Sequence, residues 1–156
     1  DALTPGLGGV FTGIWFLGGT LGGLIIRKPG AALFVEVLAA SVSAVLGSQW
    51  GIETLYSGLA QGLGAEVVFF AFAYRRFGLT VSILSGMGAA VGAFILELFT
   101  SANLAMSLAF NTIYLSCMLV SGAVLAGVLG FYLVKALAGT GVLDRFGAGR
   151  ERHRVA

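Results

Sequence analysis

The stretch Leu24-Ile25-Ile26-Arg27-Lys28-Pro29-Gly30-Ala31-Ala32 joins two apolar runs through a short basic turn. Proline and glycine interrupt a helix, so this stretch predicts the end of one helix and the start of the next. Arg75-Arg76 makes a second basic break, and the remaining Lys and Arg residues lie in the tail from Lys135 to Arg154. Cytoplasmic loops of membrane proteins carry the excess of Lys and Arg. The sequence therefore predicts a chain that crosses a membrane several times and returns its cations to the cytoplasmic side.

The composition also indicates a membrane protein. Hydrophobic residues make up 58% of the chain and charged residues only 10%, and the mean hydropathy of +0.98 is far above that of an average soluble domain. Five apolar segments are long enough for a helix to cross a hydrocarbon core; they cover residues 6–26, 31–47, 54–74, 78–100 and 112–138. We therefore predict an all-α integral membrane protein with a bundle of five transmembrane helices.

The chain is predicted to form a single transmembrane domain over residues 1–156, with a basic cytoplasmic tail at about 139–156. Five crossings that end in a cytoplasmic tail place Asp1 outside the cell. We therefore expect a sixth, N-terminal helix before Asp1 in the native protein. The net charge of +2 comes from the membrane anchors and the tail. We accordingly expect a lipid bilayer around the chain and no nucleic-acid partner.

Three carboxylates lie inside the predicted spans, on Glu36, Glu66 and Glu97. An acidic side chain at mid-membrane costs about 2.5–3.5 kcal/mol, so each should face the bundle interior and have a partner there. All Lys and Arg residues are predicted to lie at the cytoplasmic surface. The partners of the three carboxylates could therefore be polar protein groups, a bound proton or a cationic ligand. One such residue alone could be a neutral structural glutamic acid. Three together favour a ligand site.

Polar and aromatic side chains accompany these carboxylates. Trp50 and Tyr56 lie near the predicted outer surface, where they could equally belong to the belt of interfacial aromatic residues. Gln61 and Glu66 are about 140° apart around their helix axis, so we do not expect them to point into one cavity with the same geometry. The candidate substrate-binding residues are Trp15, Glu36, Trp50, Tyr56, Gln61, Glu66 and Glu97.

The sequence does not favour an enzyme. The single histidine, His153, lies in the charged tail, and Cys117 is an isolated cysteine in an apolar run. There is no metal-ligand spacing, no phosphate-binding glycine loop and no Ser-His-Asp set in the sequence. We expect no catalytic residue, no metal site and no cofactor. Any ATP hydrolysis that drives transport would then take place on separate subunits.

Two motifs of the sequence are distinctive: Ile26-Arg27-Lys28-Pro29-Gly30-Ala31-Ala32-Leu33, followed by Glu36, and Gln61-Gly62-Leu63-Gly64-Ala65-Glu66. Both resemble the YkoE family, the substrate-binding S-components of bacterial energy-coupling factor (ECF) transporters. Gly13-Ile14-Trp15-Phe16 and Ser121-Gly122-Ala123-Val124-Leu125-Ala126-Gly127 also fit. The resemblance implies a six-helix S-component, with the five helices of this chain corresponding to its second through sixth.

The same resemblance implies a function and partners. Such an S-component captures thiamine or its hydroxymethylpyrimidine precursor from outside the bacterial plasma membrane. It works with a transmembrane coupling protein and cytoplasmic ABC ATPases, and the choice between the two ligands stays open. Two other functions also remain possible from the residues: a proton-coupled small-molecule carrier, and a membrane scaffold subunit that transports nothing.

Overall fold

The computed structural model describes residues 6–155, and they form an all-helical bundle. Asp1 lies outside the described residues, as does the helix expected before it. The helices are α1 (Leu7–Ile26), α2 (Ala31–Val45), α3 (Glu53–Ala71), α4 (Leu79–Thr100), α5 (Leu108–Gly139) and the short α6 (Gly147–Val155). The first five correspond to the five predicted spans, and the predicted all-α fold is confirmed.

Three of these helices, α1, α4 and α5, are long and apolar enough to cross a membrane. Helix α2 is apolar but has only 15 residues, and α3 has 19 residues and carries Glu53, Gln61 and Glu66. Helix α5 begins before the predicted residue 112 because the Ser107 side chain accepts the N–H of Phe110 at 3.2 Å and caps the helix start. Part of the predicted basic tail forms α6.

Two of the long helices change their winding inside the bundle. Helix α1 begins as a 3-10 helix over Leu7–Ile14 and becomes α-helical at Leu17, while α5 is π-helical over Gly122–Val128. Ser121 joins the two irregular parts, since its hydroxyl accepts the Gly13 N–H at 2.9 Å and donates to the Val10 carbonyl at 2.5 Å. Backbone groups that lose their α-helical hydrogen bonds where the winding changes are thus hydrogen-bonded by a side chain within the bundle. The membrane interior requires this, because it contains no water to take that place.

Glycines allow helix backbones to touch directly. A Cβ atom at Gly64 would meet the carbonyl of Gly88 on α4, and one at Gly86 would meet the carbonyl of Gly122 on α5. Such close approaches provide the van der Waals contact that holds helices together in lipid. The hydroxyl of Ser82 adds a hydrogen bond of 2.7 Å to the Gly127 carbonyl in the π-helical part. Helix α4 therefore packs tightly between α3 and α5.

Arg27, Arg75 and Arg76 lie at one end of the bundle, which is called the basic end below. Helix α6 packs against this end. The Arg27 guanidinium pairs with Glu151 and lies 4.8 Å from the centre of the Phe77 ring. Arg152 donates to the last carbonyls of α5, those of Ala138 and Gly139, at 2.9 and 2.8 Å. The α6 helix thus fastens the ends of α1 and α5 to each other.

We expect Gly122→Ala to lower the thermal stability of the purified protein. The added Cβ would collide with the Gly86 carbonyl, and overpacking of this kind costs about 1–3 kcal/mol. Gly130→Ala, on the same helix, is the matched control, because its Cβ would lie 3.4 Å from Leu17 in ordinary contact. Thermal unfolding in detergent measures both variants. Equal melting temperatures for the two would contradict the close packing of α4 and α5.

Candidate ligand-binding site

A cavity of about 620 Å³ lies at the end of the bundle opposite the basic end, among α1, α2, α3 and α4. Its volume is within the range of about 300–1,000 Å³ that is typical of small-molecule sites. The lining residues are Thr12, Ile14, Trp15, Phe16, Leu17, Gly18, Leu21, Glu36, Ala39, Ala40, Ser43, Ser48, Trp50, Glu53, Thr54, Tyr56, Ser57, Gly58, Gln61, Leu96, Glu97, Thr100 and Ser101. Six of the seven predicted site residues are therefore together in one cavity.

Glu36 is the most deeply buried carboxylate of the cavity, with 5% of its surface exposed. Its Oε2 atom accepts the backbone N–H of Gly19, which is free because the α-helical part of α1 begins at Leu17. The other oxygen, Oε1, has no hydrogen-bond partner in the described part of the chain and remains open to the cavity. One oxygen of Glu36 is thus fixed by the protein, and the other can accept a hydrogen bond from a ligand.

Glycine at position 18 makes room for this carboxylate. A Cβ atom there would stand 3.0 Å from Glu36 Oε2, and one at Gly19 would stand 3.1 Å from the same atom. Both distances are shorter than an ordinary van der Waals contact, so a larger residue would displace the carboxylate. The two glycines of α1 therefore set the position of Glu36.

Gln61 provides a second polar group in the same cavity. Its side chain is 8% exposed, and its Nε2 atom donates to the Ser57 hydroxyl at 2.6 Å. The amide oxygen has no partner among the described residues and also faces the cavity. Gly18, Glu36 and Gln61 together are called the floor of the cavity below.

The opposite side of the cavity, called the mouth, is formed by Trp15, Trp50, Glu53, Tyr56 and Glu97. The two indole rings meet edge to face, with 6.0 Å between their centroids and 83° between their planes. Both tryptophans and Tyr56 remain more than half exposed. These aromatic side chains offer ring faces and edges to a ligand that enters from this end.

Two carboxylates belong to the mouth. Glu97 on α4 was predicted from the sequence, whereas Glu53 was not among the candidates. Glu53 is the solvent-exposed first residue of α3. Acidic residues are favoured at helix starts, so this position alone does not indicate a ligand site. Its closeness to Trp50 and Tyr56 along the chain was the available signal. Three glutamates but no Lys or Arg are among the described residues that line the cavity, so no basic side chain there would repel a cationic ligand.

Glu66 is the predicted site residue that the structure places elsewhere. Its carboxylate lies at the start of α2, where it accepts the N–H groups of Gly30, Ala32 and Leu33 at 2.6, 3.0 and 3.2 Å. The Tyr74 hydroxyl donates to the same carboxylate at 2.5 Å. Glu66 is thus a helix-capping residue at the basic end.

A bundle of apolar helices around an open cavity lined by glutamate and aromatic side chains is the arrangement of a membrane protein that binds a small ligand. Comparisons with known proteins agree with this class. A family profile described as the permease component of an ABC-type cobalt transport system matches residues 1–92. The HMP/thiamine permease protein YkoE of Bacillus subtilis (strain 168) is 45% identical over 139 residues, which cover 89% of this chain and 70% of that protein.

A solved structure is also similar over most of the chain. It is described as the crystal structure of an S-component of an ECF transporter, and it superposes with a TM-score of 0.91 at 42% identity. The match covers 94% of this chain and 74% of the other. The chain belongs to the YkoE family of ECF transporter S-components. It is a multi-pass membrane protein, and its role is that of the substrate-binding component.

We expect Glu66→Gln to destabilise the protein. An amide has one acceptor oxygen and a donor group that would face the N–H groups of α2, and hydrogen bonds to a charged group are worth about 1.5–3 kcal/mol. Tyr74→Phe is the control, because it removes only one of the four bonds. Its melting temperature should fall between those of Glu66→Gln and the wild type. A Glu66→Gln protein as stable as the wild type would rule out the capping role.

Proposed function

We propose that this S-component binds thiamine or its hydroxymethylpyrimidine precursor in the cavity, for ATP-driven uptake. The observation that carries the proposal is the composition of the cavity. It places aromatic rings, three carboxylates and an amide around about 620 Å³ of space, with no cation in its described lining. The similarity to a protein named an HMP/thiamine permease supports the same ligand class.

The chemistry of thiamine fits this lining. Thiamine has a permanently charged thiazolium ring and an aminopyrimidine ring whose edge both donates and accepts hydrogen bonds. Carboxylates balance the cation and accept the amine, and Gln61 can accept a second hydrogen bond. Trp15, Trp50 and Tyr56 can hold the cationic ring against their faces. The proposed contacts are thus made by Trp15, Glu36, Trp50, Tyr56, Gln61 and Glu97, and Glu66 is left out.

An organic ligand suits the site better than the metal ion named in the matching family description. Among the described residues there is no group of three or more His, Cys, Asp or Glu side chains close enough to hold a metal ion. The four aromatic side chains of the lining would have no role in holding a bare divalent cation, which prefers several oxygen or nitrogen ligands. Ring-shaped ligands use both the aromatic and the polar groups.

The proposed partners follow from the S-component class. We infer that the chain works with a transmembrane coupling protein and with cytoplasmic ABC ATPases, and that it has no catalytic activity of its own. The basic end, with Arg27, Arg75, Arg76 and α6, would face the cytoplasm because Lys and Arg accumulate on that side. The cavity then opens outward, which is the direction from which an importer collects its ligand.

Titration calorimetry on the detergent-solubilised protein tests the ligand. We expect saturable binding of thiamine or hydroxymethylpyrimidine by the wild type. Trp50→Ala should weaken thiamine binding about 2- to 30-fold, the range that a cation–π contact of about 0.5–2 kcal/mol provides. Tyr132→Ala removes an exposed aromatic ring of α5 outside the cavity and should bind like the wild type. Absence of binding of both compounds to the wild type would refute the proposal.

The orientation is tested by labelling with an impermeant thiol reagent in whole cells. The native Cys117 is first replaced by alanine, and single cysteines are placed at Trp50 or Arg76, both of which are exposed. We expect position 50 to react in intact cells and position 76 to react only after the cells are permeabilised. The reverse pattern would place the cavity on the cytoplasmic side.

A further inference from the structure

The nine Lys and Arg side chains of the chain fall into two groups. Arg27 pairs with Glu151, and Arg152 donates to the carbonyls of Ala138 and Gly139, so the first group holds α6 in the fold. Each of the other seven Lys and Arg residues is exposed. None of the seven has an ion pair or a side-chain hydrogen bond within the described part of the chain. The fold therefore does not use most of its cations.

Helix α6 is fixed against the bundle on two adjoining sides. On one side, a Cβ atom at Gly147 would stand 3.1 Å from Arg27 Cβ, and Glu151, one turn later, pairs with the Arg27 guanidinium. On the next side, Ala148 is buried, and Arg152, again one turn later, bonds to the end of α5. The remaining side of the helix is not used by these contacts.

Arg150 and Arg154 lie one turn apart on the remaining side of α6. They are about 160° around the helix axis from the positions that face α5, and both are exposed. The Phe146 carbonyl accepts the Arg150 N–H at 3.1 Å, so Phe146 lies one turn before Arg150. Its side chain is 43% exposed. Phe146, Arg150 and Arg154 are called the outer row of α6 below.

An aromatic side chain beside two arginines matches the chemistry of an anionic phospholipid. The basic end is one end of the membrane-spanning helices, so it lies at the level of the lipid headgroups. Phosphate oxygens accept hydrogen bonds from a guanidinium, and arginine is suited to bind them through two parallel bonds. Two exposed apolar side chains, Phe146 and Val142 in the turn that leads to α6, can contact the acyl chains. A free phosphate ion would leave these two side chains in water.

We propose that the outer row of α6 binds the headgroup of an anionic phospholipid, with Arg150 and Arg154 at the phosphate and Phe146 against the acyl chains. The partner is lipid of the surrounding bilayer rather than a soluble anion. Helix α6 then joins the bundle to the membrane surface, since its inner sides are bonded to α1 and α5. This surface is at the opposite end of the bundle from the cavity, and the proposal is independent of the ligand that the cavity binds.

Native mass spectrometry of the detergent-solubilised protein measures lipid binding directly. Phosphatidylglycerol carries a net negative charge, whereas phosphatidylcholine has the same phosphate without a net charge. We expect the wild type to prefer phosphatidylglycerol about 30-fold, because each arginine near an anionic lipid contributes about fivefold to affinity. A variant with both Arg150→Gln and Arg154→Gln should bind the two lipids alike. A preference that persists in this variant would overturn the proposal.

The matched control removes two other arginines from the basic end, through Arg75→Gln and Arg76→Gln. It has the same net charge as the first variant but an intact α6, so it should keep the wild-type preference. Equal losses in the two variants would mean that net charge alone attracts the lipid, which overturns the assignment to α6. The first variant should also melt at the wild-type temperature. A lower melting temperature would show that its two arginines hold the fold, and would contradict the proposal.

Two further outcomes would identify a different partner and refute the proposal. A wild type without a preference for phosphatidylglycerol would leave the arginines to an acidic protein surface. Displacement of bound phosphatidylglycerol by an equal concentration of inorganic phosphate would show a site for a free anion. Phe146→Ala tests the acyl-chain contact and should weaken phosphatidylglycerol binding several-fold, because apolar contact area is lost. Unchanged affinity in this variant would contradict that contact.

Discussion

The hydrogen bond from the Gly19 N–H to the Glu36 carboxylate gives a partner to two polar groups in the membrane interior. An α-helix that starts inside the bilayer leaves backbone N–H groups without acceptors, and a buried carboxylate needs donors. Each group satisfies the other, so α1 can change from 3-10 to α winding in the interior. The change of winding in turn brings Trp15 to the mouth and Gly18 to the floor. This contact thus lies at the floor of the cavity.

The same requirement explains the other polar contacts of the bundle. Glu66 closes the start of α2, Ser121 satisfies the 3-10 part of α1, and Ser82 satisfies a carbonyl of the π-helical part of α5. Glycines at the helix crossings bring the backbones close enough for these bonds to form. The free energy of the fold thus comes from close packing and from the pairing of interior polar groups, because lipid gives little hydrophobic drive between helices.

The sequence predicted the helices and six residues of the cavity lining because both depend on properties that act along the chain. Hydropathy and the basic breaks determine the spans, and carboxylates far from every cation point to an interior site. The role of Glu66 depends on a contact with residues 30–33 on another helix, and no pattern along the chain encodes that distance. The windings of α1 and α5 were missed for a similar reason. Each is stabilised by a partner that lies far away in sequence, such as Ser121 opposite Gly13.

The edge-to-face pair of tryptophans at the mouth also makes the intrinsic fluorescence of the protein report on the cavity. The chain contains only two tryptophans, and both Trp15 and Trp50 line the cavity. All indole emission therefore originates at the place where a ligand enters. A compound that separates or covers the two rings changes the whole of that signal, without a background from tryptophans elsewhere in the chain. Intrinsic fluorescence can thus follow occupancy in real time on unlabelled protein.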